Sequence, residues 1–156
     1  MRRKEREITE RSEQLKILEN TDAIRIAFAV ENEPYIVAMN FGFIWEKQLK
    51  FYLHCAREGK KIDMLRRNNR VCFQTDTEHL LIIDDLSCRW GMKYASLVGR
   101  GTLSIVDDED ERMKGLELLM HNYGKKDRNL FAAEMLHQTL VLRLDVEEIS
   151  GKRRLE

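Results

Sequence analysis

At 156 residues, with 43% hydrophobic and 35% charged side chains, the chain has the length and composition of one globular domain, which argues against disorder. Its 27 basic and 27 acidic residues cancel, so it lacks the basic excess that nucleic-acid binding calls for. No apolar run approaches the ~20 residues of a membrane span, and the start Met1-Arg2-Arg3-Lys4-Glu5-Arg6-Glu7 has no apolar segment behind it to make a secretory signal.

Residues 1–8 are expected to form a flexible or loosely packed arm on a single domain spanning 1–156. Thr9 is suited to cap a helix carrying Glu10 and Glu13 in its first turn and Leu15, Ile17 and Leu18 on its apolar side, ending near Asn20-Thr21-Asp22. Residues 23–30 have strand length and apolarity, and Glu31-Asn32-Glu33-Pro34 reads as the following turn, where proline does least harm. Residues 35–44 and 49–55 are strand-like, joined by Trp45-Glu46-Lys47-Gln48 as a hairpin loop. A helix is predicted over 60–69, then strand-like runs at 70–75, 80–83 and 94–106. Residues 107–123 look helical, with Leu116, Leu119 and Met120 on one face, and 130–137 form a second helical stretch. Residues 140–149 close the chain as an alternating strand. Six or so short strands with helices only at the edges imply a mainly β fold, an antiparallel barrel with flanking helices. Gly99 and Gly101, at i and i+2, mark either a barrel corner or a place where a ligand nears the backbone.

The most informative stretch is His54-Cys55-Ala56-Arg57-Glu58-Gly59-Lys60-Lys61-Ile62-Asp63-Met64-Leu65, where a strand ends and a helix begins. The N–H groups of a helix start lack intrahelical partners and the dipole there favours an anion. Two lysines beside a glycine therefore make a plausible phosphate cradle. Alone the signal is weak, since Gly-Lys-Lys opening a helix more often marks a solvated basic turn. His54 is the stronger neighbour of that cradle, because imidazole can hydrogen-bond a cofactor or move a proton near neutral pH; a core histidine is the plainer alternative. The four histidines, His54, His79, His121 and His137, show no close ligand pair, so no metal centre is expected. Cys55, Cys72 and Cys88 form neither a disulfide framework nor a zinc set, which points to a reducing cytoplasm. There is no Walker motif, dinucleotide glycine fingerprint or Ser-His-Asp order.

Three segments in this order change the reading: Pro34-Tyr35-Ile36-Val37-Ala38-Met39-Asn40-Phe41-Gly42-Phe43, Leu53-His54-Cys55-Ala56-Arg57-Glu58-Gly59-Lys60-Lys61, and Tyr94-Ala95-Ser96-Leu97-Val98-Gly99-Arg100-Gly101. Together they resemble the pyridoxamine 5′-phosphate oxidase-like, FMN-binding split β-barrels, a Greek-key type of antiparallel barrel, and within them the nitroimidazole-resistance (Nim) type branch. Glu148-Ile149-Ser150-Gly151-Lys152 resembles that branch too, so the likeness runs from about residue 5 to 153.

The resemblance implies an FMN cofactor whose ring lies along Ile36, Val37, Ala38, Met39, Asn40 and Phe41. His54, Cys55 and Ala56 would pass beside the ribityl chain and phosphate. Gly59, Lys60 and Lys61 correspond to the family's Ser-x-Lys phosphate motif, with Lys61 in the lysine role, Leu65 at the apolar position four residues on, and Gly59 replacing the hydroxyl. Ser96 would add one polar contact. In the Nim-type branch a histidine at the position of His54 belongs to the active centre, which makes His54 the candidate catalytic residue. The implied protein is a cytoplasmic homodimer with flavin at its interface. It would act as a reductase or oxidase of a small organic substrate, nitroimidazole-type nitroreduction being the leading case, fed by a reduced nicotinamide donor. A non-catalytic flavin-binding or storage module and a haem-handling split barrel are the alternatives. The ending Gly151-Lys152-Arg153-Arg154-Leu155-Glu156 lacks the arginine and histidine pattern by which the true oxidases grip substrate phosphate, so vitamin oxidase activity is not expected.

Overall fold

In the computed structural model, which describes residues 3–125, 127 and 129–155, the chain forms eight strands, all paired antiparallel. After a short 3₁₀ turn come β1 (Glu7–Ile8) and the helix α1 (Arg11–Glu19). Then follow β2 (Ile24–Val30), β3 (Glu33–Met39), β4 (Phe41–Trp45), β5 (Leu49–Ala56) and the helix α2 (Lys60–Arg67). The long hairpin of β6 (Arg70–Ile82) and β7 (Gly91–Ile105) leads to the helices α3 (Glu109–Asn122) and α4 (Ala133–Gln138), and β8 (Thr139–Arg154) closes the order.

The hydrogen-bonded path runs β3-β2-β6-β7-β8-β5-β4, with β1 added to β8. Its two ends, β3 and β4, are consecutive in sequence and separated only by Asn40. A flat sheet of this order would hold those edges ~29 Å apart at ~4.8 Å between strands, whereas the chain from Met39 to Phe41 spans about 7 Å at most. The sheet must therefore roll into a barrel, closed by the covalent chain at Asn40 rather than by a strand ladder.

Alternation along the strands fills that barrel. Leu49, Phe51, Leu53 and Cys55 of β5 point inward, as do Ile24, Ile26 and Phe28 of β2. Phe51 meets both Phe41 and Phe73 edge-to-face, with ring centroids 5.6 and 5.1 Å apart, linking β4, β5 and β6 across the interior. Ile17 and Leu18 of α1, and Ile62 and Leu65 of α2, complete the core. A second, smaller cluster of Tyr52, Val106, Leu116 and Val141 lies on the outer face under α3. Two glycines bring α3 that close: a Cβ at Gly42 would fall 2.3 Å from the Leu119 amide nitrogen, and one at Gly115 2.6 Å from the Tyr52 ring. Tyr123, which caps α3, hydrogen-bonds the closing corner. Its hydroxyl donates to the Asp22 carbonyl at 2.6 Å and accepts from the Phe41 amide at 3.2 Å.

The main expectation, an antiparallel barrel with helices at its edges, holds, and several boundaries change. Residues 35–44 are two strands, because the chain must change partners at Asn40 to close the barrel. Pro34 lies in β3, not in a turn; β3 is an edge strand, where a missing donor is tolerated. The turn before it is only Glu31 and Asn32, both with positive φ (52° and 64°), a two-residue hairpin connection. The runs at 70–75 and 80–83 fall, up to Ile82, in one strand, β6, interrupted by an irregularity around Glu78, whose φ is 63°. Glu10 and not Thr9 stands at the N-cap position of the N-terminal helix, where its side chain makes no capping bond, and the last helix begins at Ala133 rather than 130. Glu7 and Ile8 do not belong to a loose arm: they pair with Lys152 and Gly151, and Ile8 is buried. Met1 and Arg2 lie outside the described residues. Gly99 and Gly101 mark a barrel corner, since added Cβ atoms would strike the carbonyls of Glu148 and Asp145 at 2.3 and 2.1 Å, beside a bulge between β7 and β8.

If the Tyr123 hydroxyl holds the closing corner, Tyr123→Phe leaves the Phe41 N–H and the Asp22 carbonyl without it. The expected loss is about 1–3 kcal/mol in denaturant unfolding; a change below about 0.5 kcal/mol would show that solvent or another group satisfies the corner equally well.

Candidate functional site

Closure at Asn40 places the free edge of β3 next to the end of β5. Phe41 pairs with Leu53, so in the same register Asn40 stands opposite His54. Along β3 and the Asn40 joint after it, Ile36, Ala38 and Asn40 are exposed, Ile36 to 65%. Val37, Met39 and Phe41 pack against or within the core. The predicted ring-binding strand thus divides by parity: three side chains face out, and the other three residues can offer only backbone groups. The β3 groups turned away from β2 are available, because β3 pairs with β2 alone and its other edge has no strand partner among the described residues, whereas the Phe41 amide is taken by the Tyr123 hydroxyl.

The proposed anion cradle has the local geometry such a site needs. Gly59 caps α2 with φ 122°, a left-handed conformation that favours glycine, and an added Cβ there would meet nothing within 4 Å. The first helical hydrogen bonds run from the Ile62 and Asp63 amides to the Gly59 carbonyl, at 2.9 and 3.2 Å, so the N–H groups of Lys60 and Lys61 precede the helical ladder. The Lys60 ammonium lies 4.9 Å from the Tyr35 ring centroid, a cation–π contact that ties α2 to β3. Tyr35 was not singled out in the sequence, where nothing announces that this ring lies under Lys60.

Lys61 acts electrostatically on both side chains at the end of β5. Burial, then the Lys61 charge, lowers the His54 pKa below the ordinary 6.5, so the imidazole is neutral near pH 7. Burial raises the Cys55 thiol from its ordinary value, and Lys61 opposes this only in part. Cys55 thus stays protonated inside the barrel and is a poor nucleophile. His54 points the other way, to the outer face, and its ring makes no hydrogen bond to any described residue. Ala56 is exposed on that same face.

Ser96 does not join this cluster within one chain. It lies on β7 opposite Lys152, whose carbonyl its hydroxyl approaches at 3.4 Å, while His54 is paired with Val141 near the start of β8. His79 lies in β6 and pairs with Asp76. No group of three metal-ligating side chains is found among the described residues, and no described helix is long and apolar enough to cross a membrane.

Beyond His54, the sequence missed the wall that α3 and α4 build over the outer face of β5. Leu119 and Met120 of α3 and Phe131, Met135 and Leu136 of the following segment line a cavity with His54 at its edge. The apolar face of α3 was legible, but not the surface it would cover. A polar network pins α3 there: Tyr52 donates to Glu111 at 2.9 Å, and Arg143 donates to both Glu111 oxygens at 2.9 and 3.1 Å and to Asp145 at 2.8 Å. Burial and the Glu111 hydrogen bond push the Tyr52 phenol up to about 12, while the Arg143 hydrogen bond keeps Glu111 ionised below its usual range. Arg57 and Arg112 fix the α4 segment by its backbone, donating to the carbonyls of His137 (2.8 Å), Leu136 (2.9 Å) and Thr139 (3.3 Å).

Comparison with known proteins agrees with this architecture. A candidate 5-nitroimidazole antibiotic resistance protein from Bacteroides thetaiotaomicron is 30% identical, aligning over 94% of this chain and 86% of its own with a TM-score of 0.81. The FAD- and haem-binding protein of Mycobacterium smegmatis shares the fold at 17% identity, over 97% of this chain and 74% of its own, with a TM-score of 0.81. A candidate pyridoxamine 5′-phosphate oxidase from Listeria innocua is 21% identical over 88% of this chain and 94% of its own, with a TM-score of 0.55. Comparison with curated proteins finds no match. The family model described as pyridoxamine 5′-phosphate oxidase matches residues 10–153. The chain therefore belongs to the pyridoxamine 5′-phosphate oxidase-like family of split barrels, on its Nim-type branch.

Proposed function

We propose that this protein binds FMN at the Asn40 corner and reduces a small organic substrate, with a nitroimidazole-type nitro compound as the leading case. One observation carries the reading: a glycine-capped helix start bearing Lys60 and Lys61 lies beside the free edge of β3 and the end of β5. The residues fit the group. Lys60, Lys61 and the amides that open α2 would hold the phosphate, with open space before Gly59 for its approach. The β3 backbone, with Ile36, Ala38 and Asn40 beside it, would hold the ring. Similarity to the Bacteroides resistance protein supports the nitro substrate, and the flavin named for the Mycobacterium protein supports the cofactor class.

A flavin bound there would supply hydride- and electron-transfer chemistry between a reduced nicotinamide and the acceptor. The protein's share is orientation, exclusion of water and proton supply. Electrons delivered to a nitro group must be matched by protons on its oxygens. His54 meets that need: held neutral by burial and Lys61, its imidazole offers an N–H and recovers a proton at the other ring nitrogen. Cys55, kept protonated, stays out of the chemistry. The protein works as a cytoplasmic homodimer in this reading. Leu80, Leu81, Ile83, Leu86 and Trp90, all at least 49% exposed around the β6–β7 hairpin, provide apolar surface for a partner. Within one chain Ser96 stands away from the corner, so it contributes only if the site is shared across the two-fold axis.

Lys61→Ala is expected to weaken FMN by about ten- to a hundred-fold while leaving riboflavin nearly unchanged, because only FMN brings the phosphate. Fluorescence titration of both flavins measures this. Equal losses for both, or no binding of FMN by the wild-type protein, contradict the cradle; a haem spectrum in the purified protein contradicts the choice of cofactor.

His54→Gln is expected to lower nitro-substrate turnover per bound flavin by about 10²–10⁴-fold, with FMN affinity little changed. NMR titration of the His54 ring in the wild type is expected to give a midpoint below 6.5, moving up in Lys61→Ala as the neighbouring cation is removed. Unchanged turnover in folded, flavin-loaded His54→Gln would leave a non-catalytic flavin binder as the better account.

A further inference from the structure

On the outer face of β5, α3 and the α4 segment enclose a cavity of about 320 Å³. That is the lower end of the range occupied by small-molecule sites. Its walls are almost wholly hydrocarbon and thioether: Leu119 and Met120 from α3, Phe131 and Met135 from the segment opposite. Among the described lining residues two side chains carry hydrogen-bonding groups, His54 and Thr139, and of these His54 titrates. At the mouth, Leu130 and Met135 leave 85% and 60% of their surfaces in water, an unfavourable arrangement for large apolar side chains unless something apolar covers them. Arg57 and Arg112 hold this segment by backbone carbonyls, so its side chains are free to shape the cavity without being needed to anchor it.

The chemistry of the lining defines the occupant. A carboxylate or ammonium here would lose hydration with no opposite charge among the described lining residues to receive it, since none of them is acidic or permanently cationic. A flat molecule can lie between the Met120 and Met135 thioethers and the Phe131 ring, surfaces that favour aromatic contact. Its single polar group would meet the unpaired His54 ring. We propose that this cavity is the substrate pocket, and that it takes an uncharged, flat organic molecule of one or two rings with one hydrogen-bond-accepting group turned to His54. Met135 and Leu130 are its specificity-determining residues. The assignment rests on the flavin reading above for the word substrate; the pocket and its ligand class stand on the cavity itself.

The test uses N-phenyl-1-naphthylamine, a neutral aromatic probe, with the full chain. Binding is measured by fluorescence on flavin-free protein and by equilibrium dialysis on protein saturated with FMN. Saturable binding in both forms is expected. Met135→Glu and Leu130→Glu should each weaken it by about ten-fold or more, because a charge at the mouth must be desolvated or must expose the pocket. Both positions are exposed, so melting temperature and FMN affinity should stay at wild-type values, and Met135→Leu should keep binding within about three-fold. Wild-type binding by both glutamate variants overturns the pocket assignment. Displacement of the probe by FMN also overturns it, by giving the cavity to the flavin. Probe binding with the expected variant pattern in a protein that fails to bind FMN upholds the pocket and removes the flavin reading alone.

Discussion

One residue of chain between β3 and β4 sets the geometry of this protein. Because Asn40 alone joins the two ends of the sheet, the strands between them must roll until those ends meet. The aromatic interior of Phe41, Phe51 and Phe73 follows from that curvature, as do the Gly99 and Gly101 corner and the bulge beside it. The closing joint is not a ladder, so it leaves the β3 edge open, and Tyr123 partners the Phe41 amide there. The same joint brings an exposed edge, the end of β5 and the start of α2 to one rim of the barrel. Structure and candidate site thus have a common cause.

Charge is handled locally. The chain is neutral overall, so anion affinity at the rim cannot come from a long-range field and must come from the helix start with its two lysines. The same lysine that would meet a phosphate also disfavours protonation of His54. On the outer face of β5, which Tyr52 shares with His54, Glu111, Arg143, Asp145 and Tyr52 bond one another in a partly buried network whose product is the position of α3. Gly42 and Gly115 let that helix approach to backbone contact, and the cavity beside His54 is what remains between it, α4 and the sheet.

Much of this was legible in the sequence. Period-two alternation in β8, the Gly59-Lys60-Lys61 helix start and the ordered family segments led to an antiparallel split barrel. What escaped were features that depend on distant partners. Residues 35–44 read as one strand because nothing local marks the change of partner at Asn40. Pro34 reads as a turn because its tolerance depends on β3 being an edge, a fact of topology. The side of β5 that α3 covers, the Lys60–Tyr35 contact and the separation of Ser96 from His54 are likewise set by packing across the barrel, beyond the reach of spacing or propensity.

The central claim, that the Asn40 rim is one flavin site, is tested most directly by hydrogen–deuterium exchange with and without FMN. The open edge of β3 and the amides opening α2 have no ladder to protect them, so ligand contact should register there first. The account predicts slowed exchange over residues 36–41 and 59–62 on FMN addition. It predicts no change in the separate groove lined by Arg6, Glu13 and Arg153. Protection confined to that groove, or absent from both rim segments in protein shown to bind FMN, would contradict it.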